Sequence, residues 1–276
     1  MAANQLVSEA VNLYVVIRTV ELKRAEGKRI FIRKWKNEPW GASFEVRGFE
    51  RGDETQRYIL NFDGEAMMHH VVFTNRARPD ATCENRRERF FASGNERTAG
   101  VIPAGYGYRV RPGDSWDTLA HVMNLGDAAR TLNIEITFYY AAADSGLSEV
   151  RPFWLDVDNC SDSEYSIPAG RSSTIWDFTA TAELEGRIVA AAGHLHDDGV
   201  RIGLRNRTAG ELLCTSRAGF DTEPSYLGHI EAMSACYGDP LARVGEGDVL
   251  RITSVYDSPV PQDDVMGIVL GYLAPA

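Results

Sequence analysis

No stretch of this 276-residue chain approaches the roughly 18 consecutive apolar residues of a membrane-spanning helix. The longest apolar runs, such as 265–273, are short and broken by glycine. The N-terminus lacks the basic start, apolar core and small-residue cleavage site of a secretory signal. The expectation is therefore a cytoplasmic chain or a mature extracellular one. Basic charge is also scarce: 29 Lys and Arg stand against 39 Asp and Glu, a formal charge of -10. That balance argues against a nucleic-acid binder, which would show a basic footprint. One local exception, from Lys23 to Lys36, reads as a solvated hairpin because Ile30 and Ile32 alternate with charged neighbours; an anionic partner surface is the alternative. The four cysteines, Cys83, Cys160, Cys214 and Cys236, form no CxxC or other close zinc pattern. Their even number is compatible with two disulfides in an oxidising compartment, or with four free thiols.

Long helices are excluded as well, because no window sustains an apolar period of 3.6. What is present is strand after strand. The stretches 14–20, 29–35, 43–46, 57–61, 67–74, 106–110, 118–123 and 132–140 are short and rich in β-branched or aromatic residues, with Gly, Pro, Asp and Asn between them. The second half continues in the same style at 153–157, 172–178, 187–196, 200–206, 212–215, 249–256 and 265–273. This spacing predicts an all-β chain built as β-sandwiches. The small, polar segment AAADSGLSEV (141–150) suits a connection between a domain at 1–145 and one at 146–276. The turn Ile-Pro-Ala-Gly occurs at 102–105 and again at 167–170, a short internal echo.

The chain has only six histidines, and their placement is informative. His194 and His196 alternate in AAAGHLHDDGV; residues i and i+2 of a strand share a face, so both imidazoles can converge on one ion. His69 and His70 are adjacent in MMHHVVF, and consecutive strand residues point to opposite faces. Joint ligation by that pair needs a strand end, a bulge or the use of different ring nitrogens. His121, in LAHVMN, is the one further histidine in the same half. A histidine alone in a strand is more often a hydrogen-bonded core residue than a ligand, and His229 is read as a surface or structural residue. The HH and HxH patterns together, with His121 within the same half, favour metal, zinc being the default for three-histidine sites. Met266, in QDDVMGIVLGYL, reads on its own as a core residue.

HH in a strand, a later single His, HxH in the second half and a Met in the last strand resemble the copper type II, ascorbate-dependent monooxygenases, the peptidylglycine α-hydroxylating monooxygenase family, and within it an actinobacterial branch. Further segments fall in the expected order: IPAGYGYRV at 102–110, IPAG at 167–170, GRIVAAAGHLH at 186–196 and GDVLRITSVY at 247–256. The resemblance covers roughly Phe62 to the C-terminus. It implies two antiparallel β-sandwich (jelly-roll) domains in tandem, each holding one copper. His69, His70 and His121 would form an electron-transfer site; His194, His196 and Met266 would form the catalytic site where dioxygen reacts. It also implies ascorbate or a similar reductant, a small-molecule substrate, and an extracellular setting. The ligand types fit copper, since imidazole serves both oxidation states while a thioether is soft and favours Cu(I).

The sequence departs from the family where peptide-amidating members hold a carboxylate. An Arg two residues before HxH, and an Asn and a Tyr two and four residues after the Met, are here Ala192, Ile268 and Leu270. Those replacements point away from a peptidylglycine substrate and toward a small, uncharged one. The family's Cys immediately after the Met is Gly267 here, and Cys214 with Cys236 could form a local bridge instead. Three functions follow: a copper-dependent monooxygenase hydroxylating a C–H bond, a non-catalytic copper-binding or copper-handling protein on the same scaffold, or a β-sandwich binding module with structural zinc or no metal.

Overall fold

The β-branched and aromatic runs separated by turn residues form long antiparallel strands in the computed structural model. It describes residues 13–22, 27–36, 44–49, 66–94, 100–124, 128–142, 144–220 and 227–276. No α-helix occurs among the described residues, whose one helical element is the 3-10 turn Ala182–Leu184. The strand expected at 57–61 and the side chains of the basic stretch near Lys23 lie outside what is described. The two strands flanking that stretch do not form the expected hairpin. Leu13–Leu22 pairs with Arg130–Ala142, and Gly27–Lys36 pairs with Ser115–Asn124 in a different sheet.

The chain divides into two compact units: Met1–Ala77 with Phe90–Val150, and Arg78–Arg89 with Arg151–Ala276. In the first, Leu13–Leu22, Arg130–Ala142, Phe44–Phe49 and Tyr106–Val110 lie side by side in one antiparallel sheet. A second sheet contains Gly27–Lys36, Ser115–Asn124 and Ala66–Pro79 in that order. The two faces meet through aromatic rings. Phe90 stacks on Tyr108 with centroids 4.8 Å apart, and Trp116 lies 4.9 Å from Phe90. The buried Tyr108 hydroxyl accepts a 2.9 Å hydrogen bond from Asn75 Nδ2, which satisfies both polar groups inside the sandwich.

The second unit is a sandwich too. One sheet pairs Arg151–Asp156 of strand Ser148–Asp156 with Gly267–Ala274, then Gly186–Leu195, then Ala235–Val244. The other runs Gly170–Thr179, Val249–Ser258, Gly199–Asn206, Glu211–Phe220 and Ile230–Met233. Their inner faces supply one core, in which Leu155, Ala191, Leu195 and Val269 meet Ile202, Leu204 and Ile252. Each partner contributes every second residue, as strand alternation requires. Ala235–Val244 carries Gly238 and Pro240, and it lies at the end of its sheet, where a missing N–H can be tolerated. Those two residues hid this strand from the sequence pattern.

The units are not two contiguous halves divided near residue 145: Arg78–Arg89 belongs with the second. Asp80 organises this segment. Its carboxylate accepts from the Thr82 and Cys83 amides at 3.0 and 3.1 Å and pairs with Arg89 at 2.8 Å. Arg89 in turn lies 4.7 Å over the Trp154 ring, and Cys83 is bonded to Cys160. The IPAG echo is structural. Ile102 and Ile167 are both buried, and Gly105 and Gly170 both take positive φ, +86° and +84°, the first just before a strand and the second at the start of one. A similar pair closes two later turns. Asp114 and Asp248 each accept from the amide three residues back, at 2.9 and 3.0 Å.

Candidate metal centres

His69, His70 and His121 come together. Their candidate ligand nitrogens all lie within 4.8 Å of one another, and all three residues are half-buried. The adjacent pair converges through a bulge. In the ladder between Ala66–Pro79 and Ser115–Asn124, Met68 faces Val122 and His70 faces His121, so His69 is the extra residue. An inserted residue breaks strict alternation and lets two consecutive side chains turn to one place. His69 Nδ1 and His70 Nδ1 lie 2.9 Å apart, and the His69 ring centroid is 4.0 Å from that of His70 and 4.9 Å from that of His121. Nitrogens 2.9 Å apart subtend about 90° at an ion roughly 2.0–2.1 Å from each, an angle that a metal site accepts. Three imidazole donors suit copper and zinc alike.

His194 and His196 occupy the end of strand Gly186–Leu195, His194 within it and His196 just beyond. Their rings are 5.6 Å apart and nearly perpendicular, at 84°. Leu195 faces Gly267 and His194 faces Ile268, so the same register carried one step further sets His196 opposite Met266. Met266 sits in the one-residue break between Gln262–Val265 and Gly267–Ala274. Two imidazoles from one strand end and a thioether from the adjoining end of its neighbour thus lie near one another, a set that suits Cu(I).

Tyr256 fastens these positions, and sequence reasoning did not find it. Its hydroxyl accepts the His196 N–H at 2.9 Å and donates to the Met266 carbonyl at 2.5 Å. Burial pushes its phenol well above the ordinary value of 10, so the proton stays on the oxygen and the donor role is fixed. Beyond His196 the turn is closed by the Gly199 N–H to the His196 carbonyl at 3.0 Å. Asp197 accepts from the Ile230 amide at 2.8 Å, and its other oxygen lies 2.5 Å from His229 Nδ1. His229, half-exposed, thus takes as its carboxylate partner the residue next to His196. The Asp-Asp-Gly that follows HxH was the available signal.

Ala192, Ile268 and Leu270, the three positions set against the polar grips of peptide-amidating monooxygenases, share the face of His194. Ala192 faces Leu270 and His194 faces Ile268 across one ladder, and no carboxylate-gripping group stands at any of them. Gly267 has no room for the cysteine of the resemblance. A Cβ there would lie 2.8 Å from Val157 Cγ2 and 3.0 Å from both Ser254 Cβ and the Tyr165 hydroxyl. The cysteines pair as Cys83–Cys160 and Cys214–Cys236, with none free. No helix among the described residues is long and apolar enough to cross a membrane.

Residues 154–276 match the family model described as stress up-regulated Nod 19. The match takes in His194, His196 and Met266 and leaves out His69, His70 and His121. No curated protein matches the chain. Among solved structures, the crystal structure of the STIV MCP aligns at a TM-score of 0.34 and 11% identity, over 96% of this chain and 97% of that one. The structure of infectious bursal virus derived T=1 particles aligns at 0.23 and 10%, over 95% and 70%. At those TM-scores neither bears on the function of this chain.

Proposed function

We propose that the chain binds copper at two mononuclear sites, on two tandem jelly-roll domains, and acts as a copper-dependent monooxygenase. His69, His70 and His121 would hold one ion, and His194, His196 and Met266 the other. The observation that carries this reading is the bulge at His69, which supports joint ligation by an adjacent pair that strand alternation would otherwise separate. When bound, copper would supply the one-electron chemistry by which O2 hydroxylates a C–H bond, one oxygen atom entering the product and the other leaving as water, with ascorbate or a similar reductant returning the electrons. Within the protein, Tyr256 fixes the spacing of the His196 and Met266 backbones. Ala192, Ile268 and Leu270 place no polar side chain beside His194, which favours a small, uncharged substrate. Two disulfides support an oxidising, extracellular setting.

The same three positions favour a second reading, a copper-handling protein without turnover, because none of them carries a polar group to orient a substrate. Copper analysis after loading and desalting separates these from a metal-free or zinc-binding module. Two coppers per chain are expected, and less than one would overturn the copper reading. Ascorbate-driven oxygen uptake above the free-copper background, with an apolar substrate, selects the monooxygenase. Uptake that never exceeds that background selects copper handling.

A further inference from the structure

We propose that Met123 gives its thioether sulfur to the ion held by His69, His70 and His121, making that centre a three-histidine, one-methionine site. This rests on the copper reading of the histidine cluster.

His121 and Met123 are two residues apart in Ser115–Asn124, so their side chains share a face at a spacing of roughly 7 Å. The alternation is uninterrupted there, since Arg29, Lys28 and Gly27 face His121, Val122 and Met123 in turn. Met123 faces Gly27, which has no side chain. On the other side, His70 faces His121 and Met67 faces Met123, which places the methionine rung next to the histidine rung but one. Met123 is also only half-buried, unlike Met233, which is 2% exposed and packed in the core of its own unit. Three rotatable bonds let the sulfur swing toward an ion beside His121. A soft fourth donor would favour Cu(I) over Cu(II) at this centre.

X-ray absorption at the copper edge of the reduced, copper-loaded full chain tests this. Met266→Leu removes the sulfur assigned to the other site. A Cu–S shell should survive in Met266→Leu and vanish in the Met266→Leu/Met123→Leu double variant, with two coppers retained in both. Loss of all Cu–S scattering in Met266→Leu alone would overturn the proposal, as would a shell that persists in the double variant. Growth on selenomethionine gives a readout without altering Met123: the Met266→Leu chain should show a Cu–Se shell, and its absence would also overturn the proposal. His70→Ala separates the two levels of inference. If it leaves two coppers bound, the histidine cluster itself is misread. If it removes one copper and Met266→Leu shows no Cu–S shell, only the Met123 assignment fails.

Discussion

The Tyr256 hydroxyl donates to the carbonyl of Met266, and the same oxygen accepts the amide proton of His196. A single buried side chain thus joins the two backbone positions that would present a thioether and an imidazole to one ion. Tyr256→Phe keeps the ring and its packing but leaves an amide and a carbonyl without this partner. A loss of about 1–3 kcal/mol in urea unfolding is expected. Copper affinity at the His194–His196–Met266 site should fall about 10–100-fold, as when a group that orients ligands is removed. Competition titration of the variant checks both sites, and the His69–His70–His121 affinity should stay unchanged.

Introducing a cysteine at Gly267, directly after Met266, should harm this chain. Any Cβ at Gly267 meets Val157 Cγ2 at 2.8 Å and the Tyr165 hydroxyl at 3.0 Å. Gly267→Ala isolates the steric part, with an expected cost of about 1–3 kcal/mol from overpacking. Thermal unfolding of Gly267→Ala and Gly267→Cys measures it. Stability equal to the parent chain in both would mean the neighbouring strands yield freely.

Acid stability should be set in part by two buried carboxylates that act in opposite directions. Burial raises the Asp80 carboxyl, but the hydrogen bonds and charge of Arg89 and the hydrogen bonds of Thr82 outweigh it and hold it below 3.8. Its contribution is present above that ordinary value and is lost as the pH falls through the lower folded one. Asp156, raised chiefly by burial, takes up its proton at a higher pH in the folded chain, so its ionised form opposes folding and acid relieves that. Asp80→Asn should flatten the loss of stability below about pH 4. At neutral pH it should cost about 3–5 kcal/mol, because Arg89, only 8% exposed, loses its partner. Urea midpoints of the parent, Asp80→Asn and Asp156→Asn, followed across pH, provide the measurement.

Much of this architecture was legible because strand alternation is a local property. The His194–His196 pair needed only the i, i+2 rule, and the strands from Gly170–Thr179 to Gly267–Ala274, apart from Ile230–Met233, Ala235–Val244 and Gln262–Val265, carried β-branched or apolar runs between turn residues. The HH pair was legible only as a condition: it needed a bulge or its equivalent, and the bulge lies at His69. Tyr256 was not legible, because its role depends on where Val249–Ser258 places a hydroxyl relative to two other strands. The membership of Arg78–Arg89 was hidden for a similar reason. It depends on Asp80 meeting Arg89 and on Cys83 meeting a residue 77 positions away, which no local pattern encodes.

That long-range bond leads to the last prediction. Cys83 and Cys160 are 77 residues apart, whereas Cys214 and Cys236 are separated by 22. If each stabilises mainly by restricting the unfolded chain, the separations correspond to about 4–5 and about 3–4 kcal/mol respectively. Cys83→Ser/Cys160→Ser should therefore destabilise the chain more than Cys214→Ser/Cys236→Ser in denaturant melts. The two variants should also differ in where they open. Without Cys160 to hold it, the Arg78–Arg89 segment retains its Asp80–Arg89 pair and the Thr82 bond to the Trp154 carbonyl, but no covalent tie. Limited proteolysis should then cut within that segment, after exposed Arg86 or Arg87, while the Cys214/Cys236 variant resists at those sites. Equal protection in both variants would show that the polar contacts alone hold the segment in place.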